Sequence, residues 1–163
     1  MASVSPVSEQ TTAANVVRTT VAALASLLLS RALHTPEPYW ATISTIVVMQ
    51  SSPGAAWKAS RQRLAGTVVG ALLGGALASW VPSNLLAYAI GVFGSGLVCM
   101  VLNLDRIAYR FAGITVAIIV LVERHTSSWV IATHRFVEVS LGIAVALVLT
   151  AIWPESVPAE AHP

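Results

Sequence analysis

The chain has 163 residues, of which 56% are hydrophobic and only 10% are charged, and its net charge is +2. Soluble domains carry about 25% charged residues, so this composition excludes a protein whose whole surface faces water, and the small net charge argues against nucleic-acid binding. Residues 38–57, 64–104 and 111–122 contain no charge at all. Charge-free runs predict membrane spans, because about 20 apolar residues cross a hydrocarbon layer of ~30 Å.

Six transmembrane helices are predicted from the apolar runs. The runs lack the period-two alternation of barrel strands, and backbone groups in lipid must be satisfied within their own segment. Proline-containing breaks separate the first three spans and the third from the fourth. In chain order the predicted helices cover residues 14–33, 39–51, 63–80, 85–104, 108–122 and 133–153.

Lysines and arginines beside the spans predict the orientation. The segments between the second and third and between the fourth and fifth helices hold Lys58, Arg61, Arg63, Arg106 and Arg110. Both termini are therefore expected in the cytoplasm of a bacterial inner (plasma) membrane, although Arg124 and Arg135 then lie outside, against the rule. Residues 1–13 are expected to be a polar lead-in, 14–154 the transmembrane module and 155–163 a disordered tail.

The two halves of the chain resemble each other. The matching residues are Trp40-Ala41-Thr42-Ile43-Ser44 with Phe111-Ala112-Gly113-Ile114-Thr115, Arg63 with Arg135, and Gly70 with Gly142. A three-helix unit that is repeated once is inverted across the membrane, as in many transporters whose substrate site lies between the repeats. The predicted fold is therefore an all-α membrane protein of two inverted three-helix repeats. Its second and fifth helices are short, about 18 Å each at 1.5 Å per residue, and short matching segments point to a binding site.

A set of motifs extends over residues 16–154. They are Pro38-Tyr39-Trp40-Ala41, the run 43–50, Gly54, Arg63-x-x-Gly66-Thr67-x-x-Gly70 and Trp153-Pro154. Together they resemble the fusaric acid resistance and aromatic acid exporter family and, more distantly, the plant aluminium-activated malate transporters. The resemblance implies a six-helix module that exports or conducts organic anions, aromatic carboxylates among them. Many members carry two modules and a soluble domain, so a single module implies self-association, with a dimer favoured, or a partner chain.

Arginines are the candidates for binding the anion, because a guanidinium is permanently charged and can donate two parallel hydrogen bonds to a carboxylate. The repeat favours Arg63 and Arg135 over the others. The alternative is that these arginines set topology and contact lipid headgroups. Glu138 is either an ion-pair partner of Arg135, one turn away, or a carboxylate that couples transport to protons. The full set of candidates is Arg18, Arg61, Arg63, Arg110 and Arg135.

Four further side chains are candidates for the substrate path. Trp40 can stack on an aromatic substrate, or it can be an interfacial tryptophan. The hydroxyls of Thr42, Ser44 and Thr115 can line a polar path, or they can bond back to their own helix carbonyls.

Gly66, Gly70 and Gly74 form a stripe on the third helix that predicts close helix packing. The histidines lack the spacing of zinc ligands, so no metal and no cofactor is expected. No nucleophile motif or phosphate loop is present, which indicates that the chain is not an enzyme. The expected partners are small organic anions, the lipid bilayer and a second copy of the chain. An exporter, an anion channel and an accessory subunit without its own pathway remain as alternatives.

Overall fold

The computed structural model describes residues 13–50, 52–122 and 127–153. These residues form six helices, which confirms the predicted number and the all-α class. Four of them, α1, α3, α4 and α6, are long and apolar enough to cross a membrane. The lead-in up to residue 12, Arg124 and the tail fall outside the described residues. The helices are α1 Ala13–Ala32, α2 Tyr39–Val48, α3 Pro53–Trp80, α4 Asn84–Val101, α5 Arg106–Leu121 and α6 Ser128–Ile152.

The starts of α3 and α6 were predicted wrongly. The sequence predicts that the second helix stops at Pro53, but Pro53 is the first residue of α3, and the hydroxyl of Ser52 accepts a hydrogen bond from the Ala55 N–H at 3.3 Å. Proline suits the first helical position because its fixed φ is already helical and its missing N–H is not needed there. Helix α6 likewise starts at Ser128. The basic residues predicted for loops therefore lie on helices, namely Lys58, Arg61, Arg63, Arg106 and Arg110.

Exposed tryptophans mark the two ends of the longest helices. Trp57 and Trp80 lie on α3, and Trp129 and Trp153 lie at the two ends of α6. Each pair is about 35 Å apart at 1.5 Å per residue, which suits tryptophans at the two interfaces of a bilayer. Consecutive helices run in opposite directions, so Trp57 and Trp153 lie at the same end of the bundle, called here the Trp57 end. Trp80 and Trp129 lie at the opposite end, the Trp129 end.

Small residues let α3 and α6 approach the two short helices closely. A Cβ on Gly66 or Gly70 of α3 would overlap the carbonyl oxygen of Ala108 or Ala112 of α5. A Cβ on Gly142 of α6 would overlap the carbonyl oxygen of Ala41 of α2 in the same way. Gly74 is less tight, since its Cβ would lie 3.3 Å from the Cβ of Ile119. Helix α3, which carries Arg63, is therefore in close backbone contact with α5. Helix α6, which carries Arg135, is in close backbone contact with α2.

Gly70→Ala is expected to lower the free energy of unfolding by about 1–3 kcal/mol, the usual effect of overpacking a tight contact. The new Cβ would overlap the Ala112 carbonyl and lie 2.7 Å from the Cβ of Thr115. Thermal unfolding in detergent measures the effect. Gly113→Ala on α5 is the matched control, because nothing lies within 4 Å of a Cβ there. Equal stability of the two variants would contradict the packing assigned to Gly70.

Candidate functional site

Two arginines each cover the ring of an aromatic residue on a short helix. The guanidinium carbon of Arg63 lies 4.4 Å from the centre of the Phe111 ring on α5. The guanidinium carbon of Arg135 lies 3.8 Å from the centre of the Trp40 ring on α2. Both are cation–π contacts. The residues that the sequence repeat matches, Arg63 with Arg135 and Phe111 with Trp40, therefore make the same contact twice.

Both arginines are buried well below the helix ends. Arg63 and Arg135 are 5% and 2% exposed. Arg63 follows Trp57 on α3, and Arg135 follows Trp129 on α6, by the same spacing of about 9 Å along the helix axis at 1.5 Å per residue. A charge at such depth needs compensation, because taking an ion out of water is costly unless it is paired or hydrogen-bonded.

Arg63, Phe111 and Ser44 make up what is called here the Arg63 site. The Nε of Arg63 donates a hydrogen bond to the Ser44 Oγ at 3.1 Å. Ser44 Oγ in turn lies 2.8 Å from the carbonyl of Trp40, to which it donates. Within residues 13–50, 52–122 and 127–153, no carboxylate pairs with Arg63 and its two terminal nitrogens make no hydrogen bond. Its charge is thus met only by a hydroxyl and an aromatic face.

Arg135, Trp40, Glu37 and Glu138 make up the Arg135 site. The Nη2 of Arg135 donates to the Glu37 Oε2 at 2.6 Å. Its Nη1 lies 3.9 Å from the Glu138 Oε2, while the Glu138 Oε1 accepts from the backbone N–H of Glu37 at 2.9 Å. The second carboxylate oxygen of Glu37 accepts from the Tyr39 hydroxyl at 2.6 Å. This arginine is therefore neutralised inside the protein.

The two sites differ by two acidic residues. Glu37 stands one turn before Trp40, and the matching residue before Phe111 is Ala108. Glu138 stands one turn after Arg135, and the matching residue after Arg63 is Gly66. Gly66 packs on Ala108 just as Glu138 bonds the backbone of Glu37. The same framework thus has an internal acid pair at one arginine and none at the other.

Arg18 is buried at the Trp57 end, where it hydrogen-bonds residues that follow α2 and α6. It donates to the carbonyl of Gln50 at 2.7 Å and to the carbonyl of Trp153 at 3.0 Å. These carbonyls follow the C-terminal ends of α2 and α6, where a cation is favourable. Arg18 thereby ties three helices together at the Trp57 end. Arg61 and Arg110 are exposed.

The predicted hydroxyls mostly bond back to their own helices. Thr115 Oγ1 donates to the Phe111 carbonyl at 2.9 Å, and Thr42 Oγ1 lies 3.5 Å from the Pro38 carbonyl. Ser44 does the same but also accepts from Arg63. Of the three, Ser44 alone forms a hydrogen bond with one of the two arginines among the described residues. Glu37 was missed by sequence reasoning; the available signal was an acid between two prolines, directly before an aromatic helix.

A groove of about 630 Å³ opens at the Trp57 end between the end of α2 and the starts of α3 and α5. Phe111 is part of its wall, and Arg63 covers the ring of Phe111. Lys58 and Arg106 line it as well, so it is called here the basic groove. Gln62 donates a hydrogen bond to the Asp105 carboxylate and links α3 with α5 at the groove. The basic groove therefore leads from the helix ends towards the Arg63 site.

Comparison with known proteins decides the family. Residues 21–149 match the model of the fusaric acid resistance protein-like family. The chain belongs to this family. The predicted resemblance to the fusaric acid resistance family is thereby confirmed, whereas the comparisons do not show the predicted resemblance to the plant malate transporters. Together with the four helices of membrane-spanning length, membership makes the chain a multi-pass membrane protein of a transporter family.

Two curated relatives are similar over most of the chain. They are the "uncharacterized transporter YdhK" of Escherichia coli (strain K12) and that of Escherichia coli O157:H7, each 29% identical in an alignment of 154 residues that covers 89% of this chain. The chain covers only 23% of the length of these relatives. No solved structure matches the chain.

Proposed function

We propose that the chain exports organic anions, aromatic carboxylates among them, across the bacterial inner membrane, and that Arg63 binds the carboxylate. The observation that carries this proposal is the buried charge of Arg63, which has no carboxylate partner in the described part of the chain. An uncompensated buried charge costs several kcal/mol. A substrate anion offsets that cost, so the Arg63 site is compensated only when an anion is bound.

The Arg135 site supports this assignment, because it contains the arrangement that we propose for the substrate. There a guanidinium on an aromatic face holds a carboxylate at 2.6 Å. The Arg63 site offers the same guanidinium and ring, with Ala108 in place of the acid. A substrate carboxylate takes the role of the missing glutamate, and Phe111 provides a surface for an aromatic ring. The basic groove lies within the usual size of small-molecule sites, about 300–1,000 Å³.

The transport cycle that we propose uses the two halves as inverted repeats, with access alternating between the two ends. The paired arginine–ring contacts and the paired glycine contacts support the repeat. We place the Trp57 end, with both termini, in the cytoplasm, because it gathers Lys58, Arg61 and Arg106. Glu138, buried beside Arg135, remains our candidate for proton coupling. Assembly as a dimer stays a prediction.

Flux in proteoliposomes tests the function. Vesicles with the full chain are expected to release 4-fluorobenzoate at pH 8 faster than protein-free vesicles, which report the passive leak. Release without any current in a planar bilayer supports an exporter, and a carboxylate current supports the channel alternative. A pH gradient is expected to change the rate for the wild type but not for Glu138→Gln. Release at the passive rate under all these conditions would refute the proposed transport.

A further inference from the structure

Glu37 lies on a non-helical segment, whereas the other residues of the Arg135 site lie on helices. It lies between Pro36 and Pro38 in the break between α1 and α2, and not on a helix. Its backbone N–H is fixed by Glu138 at 2.9 Å. Its side chain is 14% exposed, whereas the side chain of Glu138 is 1% exposed. The carboxylate of Glu37 can therefore rotate outwards while its backbone stays in place.

The partners of the Glu37 carboxylate allow such a rotation. One oxygen accepts from the hydroxyl of Tyr39, a half-exposed side chain at the first residue of α2. The other pairs with Arg135. A tyrosine near water loses little when its hydroxyl exchanges a protein partner for a water molecule. Arg135 is the buried member of the pair, so a carboxylate that replaces Glu37 at its Nη2 keeps the charge compensated, while Glu138 stays 3.9 Å from the Nη1.

The two arginines are neighbours along α2. Arg63 bonds Ser44, Arg135 covers Trp40, and the Ser44 hydroxyl donates to the carbonyl of Trp40 one turn away. They approach α2 from opposite ends of the bundle, since Arg63 lies in the half of α3 nearer the Trp57 end and Arg135 lies in the half of α6 nearer the Trp129 end. Among the described residues, Arg135 is therefore the cation that we expect an anion to meet next when it leaves Arg63 towards the Trp129 end.

We propose that Arg135 is a second carboxylate site and that Glu37 is its exchangeable internal ligand. The transported anion binds Arg63 first and then replaces Glu37 at Arg135, with Glu37 turning towards the Trp129 end. When the anion leaves, Glu37 returns and restores the ion pair. The exchange keeps one carboxylate at the Nη2 of Arg135 throughout, beside Glu138, and involves no covalent step. This inference rests on the proposed function, because it takes the transported anion as the competing ligand.

Binding of 4-fluorobenzoate to the detergent-solubilised full chain, followed by ¹⁹F NMR, tests the exchange in an Arg63→Gln background. Arg63→Gln alone is expected to bind weakly, because Glu37 occupies Arg135. Adding Glu37→Gln is expected to raise the affinity about tenfold or more, since an internal ligand competes at an effective concentration in the mM range. Adding Arg135→Gln to that double variant is expected to remove the gain. Glu37→Asp, which keeps a carboxylate, is the matched control, and 4-fluorobenzamide is the uncharged probe.

Tyr39→Phe provides a second route that leaves every charge in place. It removes the hydrogen bond to Glu37, so the affinity at Arg135 is expected to rise by less than with Glu37→Gln. Size-exclusion elution and a thermal shift on adding 4-fluorobenzoate report folding and binding in each variant. If neither Glu37→Gln nor Tyr39→Phe raises the affinity in the Arg63→Gln background, the exchange is wrong. If Arg63→Gln binds as tightly as the wild type, the first site is wrong instead, and the gain that depends on Arg135 still decides the second.

Discussion

Arg63→Gln is expected to slow the release of 4-fluorobenzoate from proteoliposomes about 100-fold. A hydrogen-bonded charge contributes about 1.5–3 kcal/mol, and each 1.4 kcal/mol is about tenfold in binding. The same variant is expected to keep its stability within about 1 kcal/mol, because losing the Ser44 hydrogen bond is offset by removing a buried charge that has no carboxylate partner among the described residues. A loss of flux without a loss of stability is the signature of a binding residue.

Two variants separate the charge of Arg63 from its geometry and position. Arg63→Lys keeps the charge but not the planar fork that grips a carboxylate and stacks on a ring, so an intermediate rate is expected. Arg61→Gln removes an exposed arginine of the same helix and is expected to leave the rate near that of the wild type. If Arg63→Gln transports as fast as Arg61→Gln, Arg63 does not bind the substrate.

The helix count could be predicted from the sequence, whereas two helix starts could not. Charge-free runs report how much chain can enter lipid, and this depends on composition alone. The start of α3 depends on a cap at Ser52 and on Pro53 serving as a first helical residue. A proline followed by a glycine indicates the end of one helix equally well. Misplacing this start put Arg63 at a loop boundary, when it lies three turns inside a helix.

The matching of the two halves predicted which residues would correspond, but not that they would touch. Arg63 and Phe111 are far apart in the sequence, and their contact requires α3 and α5 to come together at Gly66 and Gly70. The pattern of apolar residues does not predict which two helices pack against each other at such short range. Arg18 illustrates a further limit. The sequence makes it a candidate anion ligand but does not indicate that it also donates to two backbone carbonyls at helix ends.

Arg135→Gln is expected to lower the free energy of unfolding by about 3–5 kcal/mol, the usual result of removing one partner from a buried ion pair. The change takes away the cation that faces Glu37 at 2.6 Å and Glu138 at 3.9 Å. Glu37 precedes α2 and Arg135 lies on α6, so the pair also holds distant parts of the chain together. Unfolding in detergent, followed by circular dichroism, measures the loss.

A double variant shows whether the loss comes from the ion pair. Arg135→Gln with Glu37→Gln removes both charges, so it is expected to be less destabilised than the sum of the two single variants, with a coupling of about 1–3 kcal/mol. Arg63→Gln is the control, since it removes the same residue type from the same ring contact without leaving an acid behind. Additive effects of Arg135→Gln and Glu37→Gln would contradict the pair. Because Glu37 and Glu138 distinguish the Arg135 site from the Arg63 site, a loss of stability in Arg135→Gln with no such loss in Arg63→Gln would place the first substrate site at Arg63.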